Sequence, residues 1–129
     1  MKGVAFEQFM DGFFKGDFGQ YFTPRPIIEF AVKMMKPEHD WDVLDPACGS
    51  GGFLLHALDY MRSQASEYYD KDTVDYFNYW HDFASKHLYG IEINDEIARV
   101  AKMNMIVHDD GHTNVISFDA LDSIDKMHD

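Results

Sequence analysis

Apolar positions recur every three to four residues along most of the chain. Phe6, Phe9, Met10 and Phe13 share one helical face, and Gly16 and Gly19 end that segment. A second helix is predicted from an N-cap at Thr23 with Pro24 in the first turn. Ile27, Phe30, Ala31 and Met34 mark its buried face up to the break at Pro37. Trp41 to Leu44 reads as a short strand ending at Asp45. Beyond a glycine-rich turn, Leu54, Ala57, Leu58, Met61 and Ala65 predict a helix packed on a sheet. Tyr76, Tyr79, Trp80 and Phe83 again have helical spacing and read as a packed helix face, not as a base-stacking platform. Leu88 to Ile93 is a second strand. Asn94 then caps a helix with Ile97, Val100, Ala101 and Met105 on one side, and Gly111 turns the chain into a third strand, Val115 to Phe118.

This alternation of helices and strands, without repeats or low-complexity linkers, implies an α/β fold: a parallel sheet with right-handed crossovers and flanking helices. In such sheets ligands sit beyond the carboxyl ends of the strands. Asp45, Glu92 and Asp119 lie at or just beyond the three predicted strand ends, and three acids at successive strand tips are harder to dismiss as surface charge than any one alone.

At 129 residues, 46% of them hydrophobic and 16% aromatic, the chain can fill one core. Its 23 acidic residues against 11 Lys and Arg give a formal charge of −12, which repels a phosphate backbone, so weak or no DNA binding is expected of this chain alone. Cys48 is the one cysteine, which excludes internal disulfides and suits a reducing compartment. With no cleavable leader and no long apolar run, the sequence reads as cytoplasmic, without a membrane segment. Cys48 has no neighbouring histidine in sequence to activate it and reads as a small packing residue. His108 and His112 have a spacing seen in metal sites, but Gly111 interrupts any helix between them and no cysteine partner exists, so no metal is assigned.

The turn "LDPACGSGGFLLHAL", residues 44 to 58, carries the chemistry. Gly49, Gly51 and Gly52 form G-x-G-G, which is neither the dinucleotide G-x-G-x-x-G nor a phosphate loop, since no lysine follows. The sign of the neighbouring charge is more selective. A carboxylate about 4 Å from an anion costs roughly 4 kcal/mol at an effective dielectric near 20, and a cation at the same place is favoured by that amount. Asp45 therefore selects a ligand with positive groups over a pyrophosphate. S-adenosyl-L-methionine meets that description. Its amino and sulfonium groups are cationic, its carboxylate can face backbone N–H groups at a helix start, and its ribose offers two hydroxyls to an acid such as Glu92. Asp119 could take the adenine amino group, and the glycines let backbone approach the ligand.

"GQYFTPR" (Gly19 to Arg25), "DPACGSGGFL" (Asp45 to Leu54), "GIEIN" (Gly90 to Asn94) and "FDAL" (Phe118 to Leu121), in this order, resemble the modification subunit of type I restriction systems, an adenine-specific DNA methyltransferase. The resemblance implies a Rossmann-like S-adenosylmethionine-dependent methyltransferase fold. Residues 1–37 would form N-terminal helices with the first motif, and 41–121 the cofactor-binding half. It further implies that Gln20, Tyr21, Phe22, Thr23 and Pro24 line the methionine end of the cofactor. Asp45, Pro46, Ala47, Gly49, Ser50, Gly51, Gly52 and Phe53 would form the loop and helix start beneath it. Glu92, with Ile93, would hold the ribose, and Asp119, with the backbone of Ala120, would meet the adenine edge. Phe118 departs from the small residue expected there.

The family transfers its methyl group through an Asn-Pro-Pro-aromatic motif after a fourth strand, where the aromatic stacks on a flipped base. The prolines here are Pro24, Pro26, Pro37 and Pro46, so that motif is absent, and no residue of the chain is assigned as catalytic. The expectation is a cofactor-binding portion truncated before the catalytic strand, inactive in isolation, with DNA, specificity and restriction subunits as partners of the intact enzyme. Two alternatives are a methyltransferase acting on protein or a small molecule, in which "GQYFTPR" would be unexpected, and a module that holds the cofactor without chemistry.

Overall fold

In the computed structural model, residues 23–108 and 114–126 are described. The segment around Phe6 to Phe13, the site residues Gln20, Tyr21 and Phe22, the turn at Gly111 and His112 lie outside the described residues.

Among the described residues, three parallel strands form one sheet in the order β1 (Val43–Asp45), β2 (Leu88–Glu92), β3 (Val115–Ser117). Helix α1 (Arg25–Met35) precedes β1, α2 (Gly52–Tyr68) and α3 (Val74–Lys86) connect β1 to β2, and α4 (Asp95–Val107) connects β2 to β3. A 3-10 turn, Ile124–Lys126, follows. The register sets Asp45 beside Gly90 and Glu92 beside Ser117, so the carboxyl ends of the strands are aligned along one edge. Among the described residues no helix is long and apolar enough to cross a membrane.

The apolar stripes of α2 and α4 explain why these segments are helices. Leu54, Ala57, Leu58, Met61 and Ala65 are all buried, as are Ile97, Ala101 and Met105, while Val100 is half-buried. Phe83, Leu55, Leu58, Met61 and Ile97 are the largest fully buried side chains among the described residues. Each contributes about 1.5–3 kcal/mol by leaving water. Trp80 and Phe83 of α3 join the same core, with Tyr76 and Tyr79 packed against it. Thr73 starts α3: its hydroxyl accepts from the Tyr76 N–H at 3.2 Å.

Helix α1 departs from the sequence expectation in two respects. Its N-cap is Pro24, not Thr23, and no side chain caps it. Its buried face is Ile28 and Val32, whereas Ile27, Phe30 and Met34 are 55%, 66% and 67% exposed. Arg25, Glu29 and Lys33 share one side of RPIIEFAVKMM and the rest of its circumference is apolar, wide enough for its periodicity to offer two stripes. Packing decides between them: Ile28 Cδ1 reaches within 3.0 Å of where a Cβ on Gly52 would stand, so the Ile28 side meets the start of α2. The strands also shift slightly. The first begins at Val43 and includes Asp45, the second ends at Glu92, and the third ends at Ser117.

Candidate functional site

The chain leaves β1 at Asp45 and reaches α2 at Gly52 through a turn bonded to the sheet and to itself. The Cys48 N–H donates to the Ile91 carbonyl of β2 at 2.9 Å, and the Gly51 N–H donates to the Cys48 carbonyl at 2.9 Å. Gly49 has φ +55° and Gly51 φ +97°, left-handed conformations that side-chain-bearing residues rarely adopt. Gly51 is also the N-cap of α2 and supplies no capping side chain. The first turn of α2 therefore offers backbone N–H groups without a side-chain acceptor, the end of a helix where negative charge is stabilised.

Two carboxylates border this turn. Asp45 is half-buried, and Glu92, only 8% exposed, lies in the adjacent strand. Glu92 Oε2 accepts from the Asn94 N–H at 2.8 Å, which aims the carboxylate, and Asn94 Oδ1 in turn caps α4 by accepting from the Glu96 and Ile97 N–H groups. Burial raises the Asp45 carboxyl above its ordinary value. The Ala47 N–H, bonded to Oδ1 at 3.1 Å, opposes that rise, and the negative charge of Glu92 adds to it. Two carboxylates thus stand at the ends of adjacent strands beside the turn, and negative charge there favours a positive neighbour over an anion.

Asp119 stands two residues beyond β3, exposed, with Oδ1 accepting from the Leu121 N–H at 3.0 Å. The Phe118 N–H donates to the Glu92 carbonyl at 3.0 Å and ties this segment to the end of β2. The sheet thus brings Asp45, Glu92 and Asp119 to one edge in strand order. Gly49, Ser50, Gly52 and Phe53 are half-buried and Gly51 is buried, while Pro46, Ala47, Ile93 and Ala120 are exposed at the rim. Thr23 and Pro24 are exposed just before α1.

Cys48 has the packing role expected of it. It is buried in the core cluster, and burial, then the charges of Asp45 and Glu92, push its thiol up to about 12. The Cys48 thiol of the folded chain should therefore react with a disulfide reagent at neutral pH about a thousandfold more slowly than an ordinary cysteine, the ratio of thiolate fractions. Absorbance kinetics before and after denaturation measure this, and equal rates in the two states would contradict the buried placement.

Asn104 is the contributor that sequence reasoning overlooked. It is 2% exposed on the apolar side of α4, and its Nδ2 donates to the Ser50 carbonyl of the turn at 3.0 Å. The available signal was a polar residue inside the stripe of Ile97, Ala101 and Met105.

The family profile described as N-6 DNA Methylase matches residues 1–128. The chain is 37% identical over 97 residues to the type I restriction enzyme EcoKI methylase subunit of Escherichia coli, a match covering 74% of the chain and 17% of that protein. It is 38% identical over 96 residues to the StySPI methylase subunit of Salmonella potsdam, with the same coverage of 74% and 17%. The chain thus spans about a sixth of the length of these curated relatives. Among solved structures, a modification subunit assigned to a type I restriction enzyme of Vibrio vulnificus superposes with a TM-score of 0.73 at 26% identity, covering 92% of this chain and 23% of that one. The EcoKI M protein superposes with a TM-score of 0.60 at 33% identity, over 78% and 20%.

Proposed function

The chain belongs to the N-6 DNA methylase family, and from that premise we propose that its strand-end acids and glycine turn bind S-adenosylmethionine for methylation of the adenine amino group in DNA. The intact enzyme would be the modification subunit of a type I restriction–modification system, working in the cytoplasm with specificity and restriction subunits. A formal charge of −12 fits a division of labour in which those partners supply most of the grip on the DNA backbone.

The observation that carries the reading is the placement of two carboxylates, Asp45 at the end of β1 and Glu92 at the end of β2, beside an uncapped helix start. One end of the site favours a cation and the other a carboxylate, which suits the ammonium and sulfonium groups and the single carboxylate of an amino-acid sulfonium. A diphosphate would meet the acids directly. Residues that would hold the cofactor are Asp45 and the 46–53 turn at the amino acid, Glu92 and Ile93 at the ribose, and Asp119 with Ala120 at the adenine. Thr23 and Pro24, with Gln20, Tyr21 and Phe22 before them, would close the methionine end. S-adenosylmethionine, when bound, supplies an electrophilic methyl group. The residues present in this chain bind, orient and exclude water, which is the part of catalysis that comes from positioning.

The test is calorimetry with S-adenosylmethionine and with ADP across the acid range. Because the Asp45 pKa is raised, the free folded chain holds that proton more tightly than the unfolded chain. Its stability contribution therefore falls as pH rises above 3.8 through the raised value. Ligand affinity should run the other way. Only ionised Asp45 attracts the cation, so affinity rises over the same window, and binding releases protons there, visible as a dependence of the binding heat on the buffer. Preferential binding of ADP, or an affinity that falls with pH through this window, would overturn the reading.

A further inference from the structure

The glycines that allow the turn to approach a ligand also allow it to adopt other shapes, so something outside the turn must select one. We propose that Asn104 is a positioning residue that locks the Ser50–Gly51 peptide plane and so holds the turn in its ligand-binding shape, a role that rests on the cofactor reading above.

In a trans peptide the C=O and the following N–H point in opposite directions, and among the described residues no peptide is cis. The Ser50 carbonyl accepts from Asn104 Nδ2 at 3.0 Å, while the Gly51 N–H donates to the Cys48 carbonyl at 2.9 Å. Both ends of one plane are therefore held. Rotating it would change ψ of residue 50 and φ of residue 51 together, and Gly51, at φ +97°, is the residue for which such a rotation is inexpensive. The Cys48 bond lies within the turn and could move with it. The Asn104 bond comes from a separate helix, 54 positions away in sequence.

Asn104 is also well mounted for this task. Its own carbonyl accepts from the His108 N–H at 3.2 Å and lies 2.8 Å from His108 Nδ1, and Arg62 Nη2 donates to the His108 carbonyl, which fixes the last turn of α4 against α2. One turn earlier, the Cβ of Ala101 stands 3.9 Å from where a Cβ on Gly51 would be, so α4 lies directly under the turn. The Asn104 side chain is 2% exposed, and its Oδ1 has no hydrogen-bond partner among the described residues. Leucine here would bury no side-chain polar atom, but it would leave the Ser50 carbonyl without its donor. An amide at this position is explained by what its Nδ2 holds.

The test is Asn104→Leu, close to isosteric and without the orphan oxygen, with Asn104→Ala as a second variant should the first fail to fold. In the ligand-free chain, amide hydrogen exchange at Gly51 should accelerate about tenfold relative to core amides such as those of Leu58 and Phe83, the scale of one buried hydrogen bond. S-adenosylmethionine affinity should fall about tenfold by calorimetry while the melting temperature changes little. A merely structural role would move Gly51 and the core amides together and leave the affinity of the folded fraction unchanged, and that result would overturn the proposal. If the unaltered chain does not bind S-adenosylmethionine, the cofactor reading fails. The exchange ratio then decides on its own whether Asn104 locks the plane: acceleration confined to the turn supports it, and no change refutes it.

Discussion

Glu92→Ala should weaken S-adenosylmethionine binding by about a hundredfold, the largest loss of affinity expected from any single side chain of the proposed site. A charged acceptor contributes about 1.5–3 kcal/mol per hydrogen bond, and a ribose presents two hydroxyls to this carboxylate. The loss should exceed what simple removal of negative charge produces, because Glu92→Gln keeps an acceptor at the same place and should cost less. The two variants also separate orientation from electrostatics. Without the Glu92 charge, one cause of the raised Asp45 pKa is gone, so in Glu92→Gln the pH dependence of binding should shift to lower pH. Titration calorimetry of both variants checks these outcomes. Unchanged affinity in Glu92→Ala would mean that the buried carboxylate does not touch the ligand.

The largest loss of stability is expected from Gly90→Val. A Cβ at residue 90 would stand 2.7 Å from Leu54 Cδ1, 3.0 Å from Cys48 Sγ and 3.1 Å from Cys48 Cβ. These neighbours are 2% and 6% exposed and cannot turn aside into solvent. Forcing atoms into a filled core costs about 1–3 kcal/mol, and valine adds two methyl groups beyond the Cβ that already collides. The cost should therefore lie at the top of that range or above it. Urea denaturation measures it. A valine variant as stable as the parent would mean that β2 and the turn are not packed as closely as the structure shows. Cys48→Ala should recover part of the loss, since it removes the sulfur nearest the new side chain.

These two residues also show what was legible in the sequence and why. Glu92 stood at the end of a recognisable strand and beside a capping Asn94, so its place followed from local pattern and from the rule that ligands gather at strand ends. The helices of Leu54 to Ala65 and Ile97 to Met105 were equally legible, since each carries one apolar stripe and has one way to pack. The motif resemblance identified the family, and the family profile agrees with it. Helix α1 was harder because its sequence supports two apolar stripes, and only contact with Gly52 selects the Ile28 side. Gly90 stood in a motif and Asn104 interrupted an apolar stripe, but what each of them touches was not legible. Nothing adjacent in sequence reveals that Cys48 and Leu54 fill the space over Gly90, or that a carbonyl 54 residues upstream waits for the Asn104 amide. Long-range contacts of this kind leave no periodicity.

The unselected stripe of α1 has a colloidal consequence. Ile27, Phe30 and Met34 present a sticky strip to water, and a chain with 23 acidic and 11 basic residues keeps copies of itself apart chiefly by like-charge repulsion. Added electrolyte shortens the reach of that repulsion to about 10 Å at 0.1 M and about 3 Å at 1 M, while hydrophobic attraction persists. Dilute buffer, where the repulsion reaches farthest, is therefore the medium in which this molecule stays dispersed best.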